Sequence, residues 1–162
     1  MVNHRYRFYK KRSFSLKSQQ GAIYVWMLLS LIFLSLGVGQ WAVNYATLQQ
    51  REKEQELLRV GLVYRKAIYQ YYQDSPGGIK TYPEKLEDLL KDPRYLEVKR
   101  HLRKLDKDPM TSTDFILIKN SDGQIIGVHS RSQKVPIKKT GFLPSIQKFE
   151  NAINYEDWVF SM

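Results

Sequence analysis

The chain contains no cysteine. Thiol catalysis, thiolate metal sites and disulfide frameworks are thereby excluded, and any part that folds in an oxidising compartment stands on its core alone. Histidine is scarce too, and His4, His101 and His129 have no metal-ligand spacing to one another. The glycine-rich fingerprints that cradle nucleotide phosphates are absent. Acid is in short supply, with 16 Asp and Glu against 26 Lys and Arg and a formal charge of +10. That excess is unevenly placed. Arg5, Arg7, Lys10, Lys11, Arg12 and Lys17 stand in residues 1–21 without one acid, and the other 20 basic residues face all 16 acids, a net of only +4. A mixed surface of this kind is no phosphate-binding footprint and argues against a nucleic-acid partner.

Charge is missing altogether from Ala22 to Gln50, AIYVWMLLSLIFLSLGVGQWAVNYATLQQ, between two charged flanks. As a helix this stretch would extend about 43 Å, more than the about 30 Å of a bilayer's hydrocarbon core. Trp41 and Tyr45 offer amphipathic rings suited to the interface. The pattern predicts a single membrane span; a core helix of a soluble protein is the competing reading. Short basic segments beside a span stay in the cytoplasm, so the N-terminus is expected inside and the C-terminal domain outside. A cleaved secretory signal fits poorly, because the apolar run exceeds about 15 residues and no A-x-A-type site follows it.

Past Gln50 the charges begin abruptly, yet helical periodicity continues. Leu57, Gly61, Tyr64, Ile68 and Tyr71 recur at alternating spacings of four and three, with Leu58, Ala67 and Tyr72 alongside. Arg51, Glu54, Glu56, Arg59, Arg65 and Lys66 are expected on the opposite, solvated face. Ser75-Pro76-Gly77-Gly78 ends the helix. Thr81-Tyr82-Pro83-Glu84 has capping-box spacing and predicts a short helix from Pro83 to about Lys91, burying Leu86, Leu89 and Leu90. A second short basic helix is expected from Tyr95 to Leu105, with Leu96, Val98, Leu102 and Leu105 packed. Phe115 to Ile118 and Gln124 to Val128 read as strands joined at Asn120-Ser121-Asp122-Gly123, a hairpin signal. Asp157 to Phe160 is a candidate third strand.

The expected fold class is α+β: a long N-terminal transmembrane and stem helix, short helices and a small antiparallel sheet. The organisation reads as a basic leader (1–21), the transmembrane half of the helix (22–50), an amphipathic stem helix (51–73) and one globular domain (74–162). About 110 residues beyond the apolar run suffice for one small domain.

The junction Lys17-Ser18-Gln19-Gln20-Gly21-Ala22, a basic leader ending in glycine directly against an apolar helix, resembles the prepilin family, the type IV pilins and type II secretion pseudopilins. Ser75-Pro76-Gly77-Gly78 followed by Tyr82-Pro83 and Leu86-Glu87-Asp88-Leu89-Leu90, then Asp108-Pro109-Met110-Thr111, resembles the major pseudopilin class of type II secretion, and the pilin-like order of elements agrees. Gly127-Val128-His129-Ser130 followed by Pro136-Ile137-Lys138 looks like a variant subgroup of that class.

The resemblance implies cleavage between Gly21 and Ala22 by a prepilin peptidase, N-methylation of Ala22, and an assembly helix in which Trp26, Ser35, Gly37 and Gly39 meet neighbouring subunits. Ser35 and Gly39 also have the small-xxx-small spacing that lets membrane helices approach. The family usually carries Phe at the first mature position and Glu at the fifth; here they are Ala22 and Trp26, so the usual ion pair between that Glu and a neighbour's terminal amine has no counterpart. Other pilin or pseudopilin subunits, an assembly platform and a cytoplasmic ATPase are the partners implied, and a bacterial inner membrane the location, with the C-terminal domain periplasmic. No cofactor or metal is expected; Asp122, Glu150, Glu156 and Asp157 lack the alternating oxygen ligands of a calcium loop. His129 beside Ser130 is a weak hydrolytic signal without a visible orienting acid. The expected function is that of a non-enzymatic filament or secretion pseudopilus subunit. The alternative is an unprocessed, single-pass signal-anchored envelope protein with an exported binding domain.

Overall fold

A computed structural model describes residues 20–162, with the side chains of residues 20, 37–40 and 42 outside the description. The leader up to residue 19, with its six cations and His4, lies outside the described residues. Helix α1 runs from Gln20 to Gln73. Its contacts divide the chain into two units, residues 1–44 and 45–162.

Within the first unit the described side chains of α1 are exposed on every side, from Ile23 and Trp26 through Phe33 and Leu36. Ser30 turns its hydroxyl inward and donates from Oγ to the Met27 carbonyl at 2.7 Å, so it breaks no backbone bond. Among the described residues no helix is long and apolar enough to cross a membrane. Described side chains run unbroken only over 21–36 before the gap at 37–40, fewer than the about 20 that a span needs. The transmembrane part of the expected fold is therefore not a feature of the described residues.

The second unit is α+β, built on the remainder of α1. Leu57, Val60, Tyr64, Ala67, Ile68 and Tyr71 form one buried stripe, as the periodicity requires. Gly61 sits in that stripe because the Phe160 ring occupies its place: a Cβ there would lie 2.4 Å from the ring carbons. The helix ends where Gly77 and Gly78 take φ of +74° and +78°, conformations that glycine adopts without strain.

Three strands follow, β1 (Ile116–Lys119), β2 (Ile125–His129) and β3 (Phe160–Ser161), antiparallel in the order β1-β2-β3. Leu117 faces Val128 across β1 and β2, and a bulge between Ile118 and Lys119 shifts the register beside the turn. Asn120 builds that turn, its Oδ1 accepting from Asp122 N at 3.0 Å and Gln124 N at 2.9 Å, while Gly123 takes φ of +78°. The third strand is shorter and later than Asp157 to Phe160. Trp158 lies in the core instead, stacked on Phe149 at 5.4 Å with Phe142 and Tyr155 against its edges. Its Nε1 has no hydrogen-bond partner, an unmet donor that costs about 1–3 kcal/mol. At Gly127 a Cβ would come within 2.8 Å of the Phe160 carbonyl oxygen, so glycine lets β3 dock.

Two helical expectations need correction. The first short helix is a single 3₁₀ turn, Leu86–Leu89. Its cap is Asp88, whose Oδ2 accepts from Glu84 N at 3.2 Å and Lys85 N at 3.0 Å, while Thr81 is engaged elsewhere. The segment from Tyr95 to Leu105 is not a helix. Asp92 Oδ1 captures the Arg94 backbone N at 3.0 Å, a local bond that competes with helix. Further on, His101 N and Leu102 N both donate to the Leu89 carbonyl, at 2.9 and 2.8 Å. Leu102 is buried as expected, whereas Leu96 and Val98 are exposed.

Candidate functional site

Gly21 and Ala22 lie in the first turn of α1, both exposed. A Cβ on Gly21 would meet nothing within 4 Å among the described residues, and glycine in a helix costs about 1 kcal/mol relative to alanine. Trp26 is 73% exposed and Ser35 is exposed on the same helix. Gly37 and Gly39 belong to α1, within the stretch whose side chains are outside the description.

In the second unit, the turn of α1 from Gln50 to Glu54 grips the C-terminal half of the domain. Gln50 Nε2 donates to the Val135 carbonyl at 3.0 Å and to Tyr155 Oη at 3.1 Å. Glu54, expected on the solvated face, is only 3% exposed. Its Oε1 accepts from Lys138 N at 2.9 Å and from Tyr155 Oη at 3.3 Å. A carboxylate taken from water is tolerable only with such partners. The signal was available in the sequence: stepping the stripe back from Leu57 by three and then four residues lands on Glu54 and Gln50.

A second polar cluster fastens the loop after the 3₁₀ turn to the end of α1. Arg94 meets Asp92 with two bonds, Nε to Oδ1 at 2.8 Å and Nη2 to Oδ2 at 2.6 Å. It also donates to Ser75 Oγ at 2.7 Å, Thr81 Oγ1 at 3.0 Å and the Tyr71 carbonyl at 2.8 Å, and its guanidinium lies 3.5 Å over the Tyr71 ring. His101 Nε2 lies 3.1 Å from Asp92 Oδ2. Burial pushes the Asp92 carboxyl up, but the hydrogen bonds from Arg94 and His101 prevail and hold it at about 2. Burial pushes the Tyr71 hydroxyl up to about 12. The Asp92 carboxylate and the Arg94 guanidinium are both held by several partners, which is the arrangement of a brace.

The third cluster tests the hydrolytic signal. Ser130 Oγ, fully buried, donates to Asp108 Oδ2 at 2.8 Å and accepts from Ser132 N at 3.0 Å. His129 Nδ1 lies 3.0 Å from the Ser130 carbonyl oxygen rather than its hydroxyl. The serine proton thus points at a carboxylate that also accepts from Thr111 Oγ1 at 2.7 Å, and the imidazole is not in the line of transfer. The Asp108 loop, with Oδ1 accepting from Met110 N at 2.9 Å, pins the approach to β1. Sequence pointed to a loop at Asp108-Pro109-Met110-Thr111 but not to its link with Ser130, which is 22 residues away.

No protein-family model, curated protein or solved structure matches the chain. Its own residues are what there is to read. Among the described residues no group of three or more His, Asp or Glu side chains is placed to hold a metal ion. A cleft of about 380 Å³ is lined by Tyr64, Phe115 and Leu117 with Glu84, Glu87 and Asp114. Among the described residues, the longest run of exposed side chains is that of α1 over 21–36.

Proposed function

We propose that this chain is a non-enzymatic structural subunit of the pilin and pseudopilin type, processed after Gly21 and held in a bacterial inner membrane by residues 22–50 of α1, with the residues from Arg51 onward on the periplasmic side. The observation that carries this reading is the uncharged, all-round exposed helix over 22–36 running into the helix on which a small α+β domain is built. A helix apolar on every side is stable only when something covers it, lipid or other helices. Neighbouring copies packed through Ser35 and the region of Gly37 and Gly39 would supply the second of these. The basic residues ahead of Gly21 set the orientation, and the resemblance of the junction and of the Tyr82-Pro83 and Asp108-Pro109 segments names the class.

Trp26 replaces the acid that the family usually places at the fifth mature position, so assembly would rest on helix packing without that ion pair. A prepilin peptidase, other subunits, an assembly platform and a cytoplasmic ATPase are the partners this role requires. The test is the N-terminal mass of the membrane-inserted chain, made with and without a prepilin peptidase. The expected species begins at Ala22 and is heavier by one methyl group. An intact leader in both samples overturns the reading in favour of a signal-anchored envelope protein.

A further inference from the structure

Just past the uncharged stretch, three cations line one pocket, and among the described residues none of them is in an ion pair. Arg51 is the first charged residue after Gln50 and stands one turn before Gln55 on α1. Lys138 and Lys139 come from the C-terminal half, held there by the bond from Lys138 N to Glu54 Oε1 and by Lys139 Nζ donating to the Ala152 carbonyl at 3.2 Å. Lys138 Nζ lies 4.9 Å over the Phe142 ring. The pocket, of about 330 Å³, is completed by Leu58 and Thr140. Among the described residues the ion pairs involve other groups, and neither Arg51, Lys138 nor Lys139 takes part in one. Glu54 is the single acid of the lining, and its Oε1 is already engaged by Lys138 N and Tyr155 Oη. Three cations against one acid leave an excess of two positive charges facing a concavity of small-ligand size.

We propose that this pocket binds the phosphate of an anionic phospholipid headgroup, with Arg51, Lys138 and Lys139 as its ligands. The inference rests on the membrane reading of the preceding stretch. If 22–50 crosses the bilayer, Arg51 enters the headgroup layer, where the planar guanidinium matches phosphate geometry and the two ammonium groups supply point charge. The Gln50 and Glu54 contacts then hold Lys138 and Lys139 at that level of α1, so the headgroup would set the depth at which the domain sits.

The full chain is reconstituted in vesicles of phosphatidylcholine, alone or mixed with phosphatidylglycerol. It is then extracted in mild detergent, and its retained lipid is read by native mass spectrometry. Phosphatidylglycerol is expected in preference to phosphatidylcholine, with retention falling about fivefold for each cation removed, the worth of one Lys or Arg near an anionic surface. Arg51→Gln and the double change Lys138→Gln with Lys139→Gln serve for this, because they keep the backbone donor that Glu54 uses; unchanged circular dichroism verifies their fold. A chain that does not enter the vesicles overturns the membrane reading and the site with it. A chain that enters but retains both lipids equally, or whose preference survives the substitutions, overturns the site alone. Inorganic phosphate that strips the lipid at equal concentration assigns the pocket to a free anion and overturns the lipid source.

Discussion

The two halves of α1 use the same backbone and opposite logic. Over 22–36 the side chains are apolar around the whole circumference and all are exposed. Over 51–73 most apolar side chains form a stripe buried under Phe160, Phe115 and the aromatic cluster, with Val63 and Tyr69 left exposed outside it. The second half finds its cover within the chain; over 22–36 the described residues supply none. Residue polarity alone separates them, since both halves have helix-forming sequences without proline. The stripe also explains why polar Gln50 and Glu54 belong to the domain: they occupy the buried face, where the C-terminal half provides their hydrogen bonds.

The sharpest way to break this contrast is to damage the covered half. Arg94→Met leaves Asp92, whose side chain is fully buried, without its bidentate partner, and should cost about 3–5 kcal/mol in denaturant unfolding of the solubilised chain. Acid should act through the same pair. Asp92 is held at about 2, below its unfolded value near 3.9, so its stabilisation is full above about pH 4 and lost as pH falls through about 2; unfolding followed over that window should show a loss of about 2 kcal/mol. Gly61→Ala would improve an ordinary exposed helix by about 1 kcal/mol. Here it pushes a methyl into the Phe160 ring and should lower stability by about 1–2 kcal/mol, read as a drop in Tm. The smallest effect belongs to the uncovered half. Ile32→Ala should change domain unfolding by less than about 0.5 kcal/mol, where the same truncation at Ile68 costs about 2–5 kcal/mol.

Much of the fold was legible because it was written in local terms. The stripe on α1, the Pro-Gly-Gly stop and the Asn120 to Gly123 turn each depend on residues within one or two turns of chain, and each appears where periodicity and turn chemistry place it. The failures involve competition at longer range. The basic segment from Tyr95 to Leu105 has helical spacing, but the Leu89 carbonyl takes two of its backbone donors and Asp92 draws in Arg94 and His101. Glu54 was assigned to water by its charge, although its position on the stripe argued otherwise. The links between Asp108 and Ser130 and between Gly61 and Phe160 join residues too far apart for any spacing rule to connect. At Gly21 the junction was legible, and the open space around it among the described residues came only from the coordinates.

The placement of the uncovered half is tested most directly by cysteine scanning, which the absence of native cysteine makes clean. Single cysteines are introduced along α1 in the full chain in native membranes and challenged with a membrane-impermeant maleimide. Membrane placement requires protection at positions 23–36 and rapid labelling at Glu52 and Gln55, both exposed and beyond the uncharged stretch. Rapid labelling along the whole helix, at 23–36 as at 52–55, would contradict it.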